Sequence, residues 1–250
     1  MKIADLTTDE LRDLLAKNAC SAALVPVGST EPHGPHLPLA TDVIISRAAA
    51  ERALPLLRER GVMALVCPEV PYGVTDFAEG FAGAISVPAA ALTAYLHAIA
   101  LSLLGAGFSH VSLVNNHLEP AHDAAVRAAI EGLGAKASVA CPLTRKWART
   151  LGDEFKSGAC HAGRYETSIV LAATPDLVDE AAASELADVP ISLSDGIKAG
   201  KTTFREMGIE RAYAGSPRSA TREEGDSTLD RLAAMIVGEI TEALFGSPEH

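Results

Sequence analysis

"SAALVPVGSTEPHGPHLPLATDVIISRAAAERALPLLRERG", residues 21–61, decides the fold. Its first part, SAALVPVG (21–28), is a short apolar run closed by glycine, the pattern of a strand buried on both faces of a parallel sheet. Its last part, residues 43–61, reads as a helix with Asp42 at the N-cap and Gly61 at the end. Between strand and helix lie Glu31, His33, His36 and Asp42, on a chain stiffened by Pro32, Pro35 and Pro38. So many ionisable groups on so stiff a loop suggest one half of a metal site.

The same alternation continues outward. A helix is predicted over 8–17, strands over 62–67, 110–115 and 135–142, and helices over 90–107, 120–134 and 165–175. Residues 188–222 are rich in Ser, Gly and charge and read as irregular; an amphipathic helix over 226–245 follows. Strand, helix, strand, helix implies an α/β fold with a parallel sheet covered on both faces. Neither an internal repeat nor a low-complexity linker is evident, so a single domain over 1–250 is expected. Such sheets bind ligands at the carboxyl ends of their strands. The quoted loop and NNHLEP (115–120) both lie there.

Composition narrows the function. The 250 residues carry a formal net charge of −11, which argues against nucleic acid as the main partner. Hydrophobic residues make up 48 % and aromatics only 4 %, so the core is built from Ala, Leu, Val and Ile. No apolar run is long enough for a membrane span, and MKIADLTTDELRDLL lacks an export-signal core. Four scattered cysteines without a CxxC pair fit a reducing compartment, so a cytoplasmic protein is expected.

Glu31 and His33 are two apart and share a face if extended; His117 and Glu119 repeat that spacing after a strand. With Asp42 they form a mixed nitrogen and oxygen set suited to Zn²⁺ or Mn²⁺ rather than Ca²⁺. Five ligands exceed the need of one catalytic zinc; a carboxylate shared by two ions roughly 3.5–4 Å apart would use the surplus. A third segment, CHAGRYETS (160–168), adds His161 and Glu166.

These blocks carry a resemblance. PVGSTEPHGPHLPLATD resembles the creatininase (creatinine amidohydrolase) family signature PVGSxEQHGPHLPLxTD, and YGVTDFAEGFAGAIS, NNHLE and HAGRYETS resemble three further family blocks in the same order. The resemblance implies a three-layer α/β/α fold, two divalent metals (Zn and/or Mn) and a homo-oligomer, often a hexamer. It implies that Glu31, Asp42 and His117 hold one metal and that His33, Asp42 and Glu119 hold the other. His161 matches the catalytic histidine, with Glu119 assisting; Thr75 and Leu118 match substrate-pocket positions, and Glu166 a pocket or supporting position. His36 falls outside the matched ligands.

Departures from the family pattern are Pro32 for Gln, Ala78 for His, Ala84 for Thr, Arg164 at an often acidic position, Leu118 for Tyr, and a single tryptophan, Trp147. They leave the matched ligands in place and alter the pocket walls. The implied activity is metal-dependent hydrolysis of a small-molecule cyclic amide or another non-peptide C–N bond, creatinine-like or a formamide. Alternatives are a keto-sugar or cyclitol ring or a peptide on the same site, or an inactive metal-stabilised oligomeric binding protein.

Overall fold

The computed structural model describes residues 1–246. Its elements in chain order are α1 (Thr8–Lys17), β1 (Ser21–Val27), α2 (Thr41–Glu59), β2 (Met63–Val66), α3 (Ala89–Gly105), β3 (His110–Asn115), α4 (Pro120–Ala128) and β4 (Ala137–Ala140). Short helices α5 (Arg145–Ala148) and α6 (Asp153–Ser157) lead to α7 (Arg164–Ala173). Then come α8 (Glu180–Glu185), α9 (Leu193–Lys198), α10 (Phe204–Met207) and the long α11 (Arg222–Phe245).

The four strands form one parallel sheet in the order β2–β1–β3–β4. All seven residues of β1 and all six of β3 are buried, as expected of central strands covered on both faces. One face packs against α2, α7 and α11 through Leu24, Ile45, Leu57, Ile169, Leu232 and Ile236. The other packs against α3 and α4 through Val25, Leu92, Leu96, Leu113 and Val126, with Leu11 and Leu15 of α1 at the edge. Each such fully buried aliphatic side chain stabilises the fold by about 1.5–3 kcal/mol before entropy is counted. Gly225 sets the closest approach, because a Cβ there would lie 1.8 Å from the Ser168 carbonyl oxygen.

The chain starts at β1, moves out to β2 and returns to β3 on β1's other side. The strand order therefore reverses between β1 and β3, the point where an open parallel sheet leaves a crevice. The loops after β1 and β3 both open into it.

Several boundaries differ from expectation. Helix α4 stops at Ala128 rather than running to 134; tight turns end it, with Ile130 and Glu131 amides bonding three residues back and Gly132 at φ 81°. Strand β4 is four residues rather than eight. The segment read as irregular holds α9 and α10, whose Phe204, Met207, Leu193 and Ile197 form a satellite cluster with Phe77, Ala78 and Phe81. Ala78, one of the departures from the resembled family pattern, is thus a buried member of an apolar cluster. All four cysteines are free, and among the described residues no helix is long and apolar enough to cross a membrane.

Candidate metal centre and active site

Asp42 is not the N-cap of α2. Ala40 holds that place, and Asp42 lies in the first turn, buried, with the Ser29 hydroxyl donating to its Oδ2 at 2.8 Å. The positive end of α2 favours a carboxylate there. Gly28 permits the approach, since a Cβ would come within 2.8 Å of the Asp42 Cβ and 2.7 Å of the Val43 nitrogen. The Ser46 hydroxyl donates to the Val27 carbonyl at 2.7 Å and accepts from the Asn116 amide at 3.1 Å, fastening both site loops to α2.

Glu31, His33, Asp42, His117 and Glu166 converge in the crevice, all buried. His117 Nδ1 lies 3.0 Å from Asp42 Oδ2 and 3.2 Å from Glu31 Oε1. His33 Nε2 lies 3.3 Å from Asp42 Oδ1 and 3.5 Å from Glu166 Oε2. Two ligand groups result, Glu31–Asp42–His117 and His33–Asp42–Glu166, with Asp42 common to both. A third group joins Glu31, His33 and His161.

Both imidazoles are tied at their far nitrogen. His33 Nδ1–H donates to the Glu31 carbonyl at 3.1 Å, and His117 Nε2–H donates to the Val74 carbonyl at 2.7 Å. In its neutral form each ring therefore aims a lone pair at the carboxylates, the arrangement that carbonyl-anchored metal ligands use. Among the described residues His33 Nε2 is buried without an aligned hydrogen-bond partner, its nearest carboxylate oxygen 3.3 Å away, which a polar atom tolerates poorly unless a ligand completes it. Anionic oxygens beside two such nitrogens fit divalent Zn²⁺ or Mn²⁺.

The metal-free cluster balances its own charge. Burial opposes ionisation of Glu31, but the charge and hydrogen bond of His117 win and hold it at about 2. Burial opposes protonation of His33, yet Asp42, Glu166 and Glu31 push it up to about 10. His117 is raised well above the imidazole value, Glu31 and Asp42 outweighing burial. Burial raises Glu166 to about 8, with Asp42 adding to the effect and His33 opposing it.

Glu119 does not join the ligand groups. It is the N-cap of α4, and its carboxylate accepts the Asp76 and Phe77 amides, both at 3.2 Å. Burial, opposed by His117, raises it to about 7. The place expected for Glu119 is taken by Glu166, which also accepts the Ala162 amide at 2.7 Å. His161 stacks between His33 and Phe204, each ring centroid 4.4 Å away, and its Nε2–H donates to the Pro32 carbonyl at 3.0 Å. Only the main-chain oxygen of residue 32 is used, so proline in place of glutamine leaves this contact intact. Burial and the His33 cation lower His161 to about 4.

One strap, residues 73–77, grips the site from above. The Val74 carbonyl takes His117, the Thr75 hydroxyl donates to Glu31, and the Asp76 and Phe77 amides take Glu119. The strap's role and its neighbour His122 were not foreseen beyond Thr75. His36, as foreseen, stands aside, bonded to the Thr167 hydroxyl at 2.9 Å.

The cluster floors a cavity of about 240 Å³ walled by Phe77, Leu118, Leu143, Phe155, Leu193 and Phe204, with Lys156 also lining it. Trp147 is not in that lining; its indole donates to Glu239 at 2.5 Å against α11. Arg164 pairs with Glu224 at 3.2 Å.

The sequence profile of the creatininase family, described as creatinine amidohydrolase, matches residues 4–240. The chain belongs to the creatininase family. Among curated relatives, the mycofactocin precursor peptide peptidase of Mycolicibacterium smegmatis is 34 % identical over 225 residues, covering 86 % of this chain and 81 % of the relative. The creatinine amidohydrolase of Pseudomonas putida is 28 % identical over 197 residues, covering 71 % of this chain and 73 % of the relative. A crystal structure of creatinine amidohydrolase superposes with a TM-score of 0.72 at 23 % identity, covering 98 % of each chain, which establishes the fold. Solved creatininases include a manganese form and a zinc–zinc mutant form. The fold is thus the expected creatininase-like α/β architecture, and the chain is a creatininase-family amidohydrolase with a cluster of metal-binding residues.

Proposed function

We propose that the protein is a two-metal hydrolase that cleaves an amide bond in a peptide. The observation that carries the metal reading is the pair of ligand groups sharing Asp42, each completed by an imidazole lone pair locked by a backbone carbonyl. Glu31, Asp42 and His117 would hold one ion, and His33, Asp42 and Glu166 the other. When bound, Zn²⁺ and/or Mn²⁺ supply Lewis acidity and a water activated at neutral pH.

The chain's own groups do the rest. Glu119, fixed by two amides at the cavity wall, carries the proton that the leaving amine needs. His161, with Nε2–H spent on Pro32, offers Nδ1 as an acceptor that orients a substrate N–H over the floor. The walls exclude water and receive apolar side chains flanking the scissile bond.

Two facts favour a peptide over the small-ring substrates that the family signature suggests. The walls above the ligand groups are mainly Leu118, Leu143, Leu193, Phe77, Phe155 and Phe204, with no tryptophan to close over a small polar ring. Relatives 32–34 % identical over most of this chain are peptide peptidases. The test is to offer the metal-loaded protein the precursor peptide of the M. smegmatis relative, creatinine, formamides and cyclic ketones in parallel, with mass spectrometry of the products. Peptide cleavage that chelator abolishes and Mn²⁺ or Zn²⁺ restores is expected. Creatinine or lactam turnover with the peptide left intact would overturn the peptide assignment. A homo-oligomer, up to a hexamer, belongs to the same reading and is measured by sedimentation.

A further inference from the structure

His122, in the first turn of α4, has no role in the chemistry above. It is completely buried, and its Nε2 has no hydrogen-bond partner among the described residues. A leucine would fill such a place without an orphaned polar atom, so the imidazole needs a reason.

Its Nδ1 supplies one. The Val74 amide donates to it at 3.3 Å, and the carbonyl of the same residue accepts His117 Nε2–H at 2.7 Å. The His122 ring also meets the His117 ring edge-on, centroids 4.5 Å apart with an interplanar angle of 75°. Residue 74 is thereby held from both sides, by one histidine at its amide and by the other at its carbonyl. Gly73 fits the same lock: a Cβ there would lie 2.3 Å from His122 Nδ1 and 3.0 Å from the Gly28 carbonyl oxygen.

We propose that His122 is a positioning residue for His117. It holds the strap at Val74, and the Val74 carbonyl fixes the His117 tautomer that turns Nδ1 toward Glu31 and Asp42. Without that hold the strap shifts, the carbonyl leaves His117 Nε2, and the ring swings from the ion it shares with Glu31 and Asp42. The other ion, on His33 and Glu166, is affected far less, because the lock meets that group only through the shared Asp42. Outer contacts of this kind are worth about 10–100-fold in metal affinity.

The experiment titrates Zn²⁺ into metal-free protein against a chromophoric chelator, for wild type, His122→Leu, His122→Asn and Gly73→Ala. Asparagine can place an acceptor oxygen where Nδ1 stood. His122→Leu and Gly73→Ala are expected to weaken one binding step about 10–100-fold and the other less than about threefold. His122→Asn is expected to stay within about threefold of wild type on both. Wild-type affinity in His122→Leu, or an equal loss in His122→Asn, would overturn the proposal. Should the two disruptive variants not fold, ring ¹⁵N spectra of the metal-free wild type decide. An unprotonated His122 Nδ1 is expected, and a protonated one refutes the lock. The inference rests on the metal reading above. A wild type that takes up no Zn²⁺ would sink that reading, whereas normal wild-type uptake with unaffected variants sinks only the lock.

Discussion

Metal uptake by the metal-free protein at pH 7 is expected to expel about three protons, one each from His33, His117 and Glu166. In the empty cluster His33 sits at about 10 and Glu166 at about 8, so both are protonated at neutral pH. His117 is protonated too, its pKa lying well above the imidazole value because Glu31 and Asp42 overcome its burial. Glu31, at about 2, and Asp42, well below the usual aspartate value, have no proton to lose. Metal ligands must be deprotonated to bind. Each expelled proton changes the overall constant about tenfold per pH unit, so filling both sites weakens about a thousandfold from pH 7 to pH 6, about 4 kcal/mol. The sign is fixed: affinity rises with pH until the cluster has lost its protons. Titration calorimetry of Zn²⁺ in buffers of different ionisation enthalpy reads the proton number as a slope. Glu166→Gln should lower that number by about one. A slope near zero, or proton uptake, would refute the account of the cluster.

Glu119→Gln is expected to keep the metal content of wild type by elemental analysis, while kcat falls about 10²–10⁴-fold, the range for loss of a proton-transfer group. Gly225→Ala drives a methyl into the Ser168 carbonyl where α7 and α11 cross, and should cost about 2 kcal/mol or more, lowering Tm by about 4–8 °C in calorimetry. His110 is buried between the Ala135 carbonyl and the Ser138 hydroxyl, and burial, opposed by the Ala135 bond, lowers its pKa. The unfolded chain then binds a proton that the folded one refuses, so stability is full above about pH 6.5 and is lost as pH falls below it. Urea melts of His110→Gln in chelator should show a shallower acid limb than wild type.

The parallel sheet was legible because its strands are short, mainly apolar runs between glycines, polar loops and helical repeats. HVSLVN forms a wholly buried strand over its full length, whereas of VMALVC only Met63–Val66 is strand, with Met63 and Ala64 partly buried at the sheet edge. The two site loops were legible for the same reason, as polar stretches at strand ends. Their fine geometry was not. The His117–Glu119 spacing suggests one shared face, but the chain stops being a strand at Asn115, and Pro120 starts a helix with Glu119 as its N-cap. That turn hands Glu119 to the Asp76 and Phe77 amides. Glu166 reaches Asp42 only because α7 packs against α2, a contact across more than a hundred residues that no local spacing encodes. One clue was present: in RYETSIVLAA the acid stands within a run that is otherwise apolar or small from Tyr165 to Ala173, and such an acid needs a buried partner. His122 and Gly73 look unremarkable in sequence, and their pairing exists only where the strap crosses α4.

The most direct test of the central claim is a crystal structure of the Zn²⁺- or Mn²⁺-loaded protein with anomalous scattering collected at the metal edge. Two peaks roughly 3.5–4 Å apart are expected on either side of the Asp42 carboxylate, one bound by Glu31 and His117 and the other by His33 and Glu166. A cluster free of metal, or a second ion held by Glu119 with Glu166 turned away, would contradict the account.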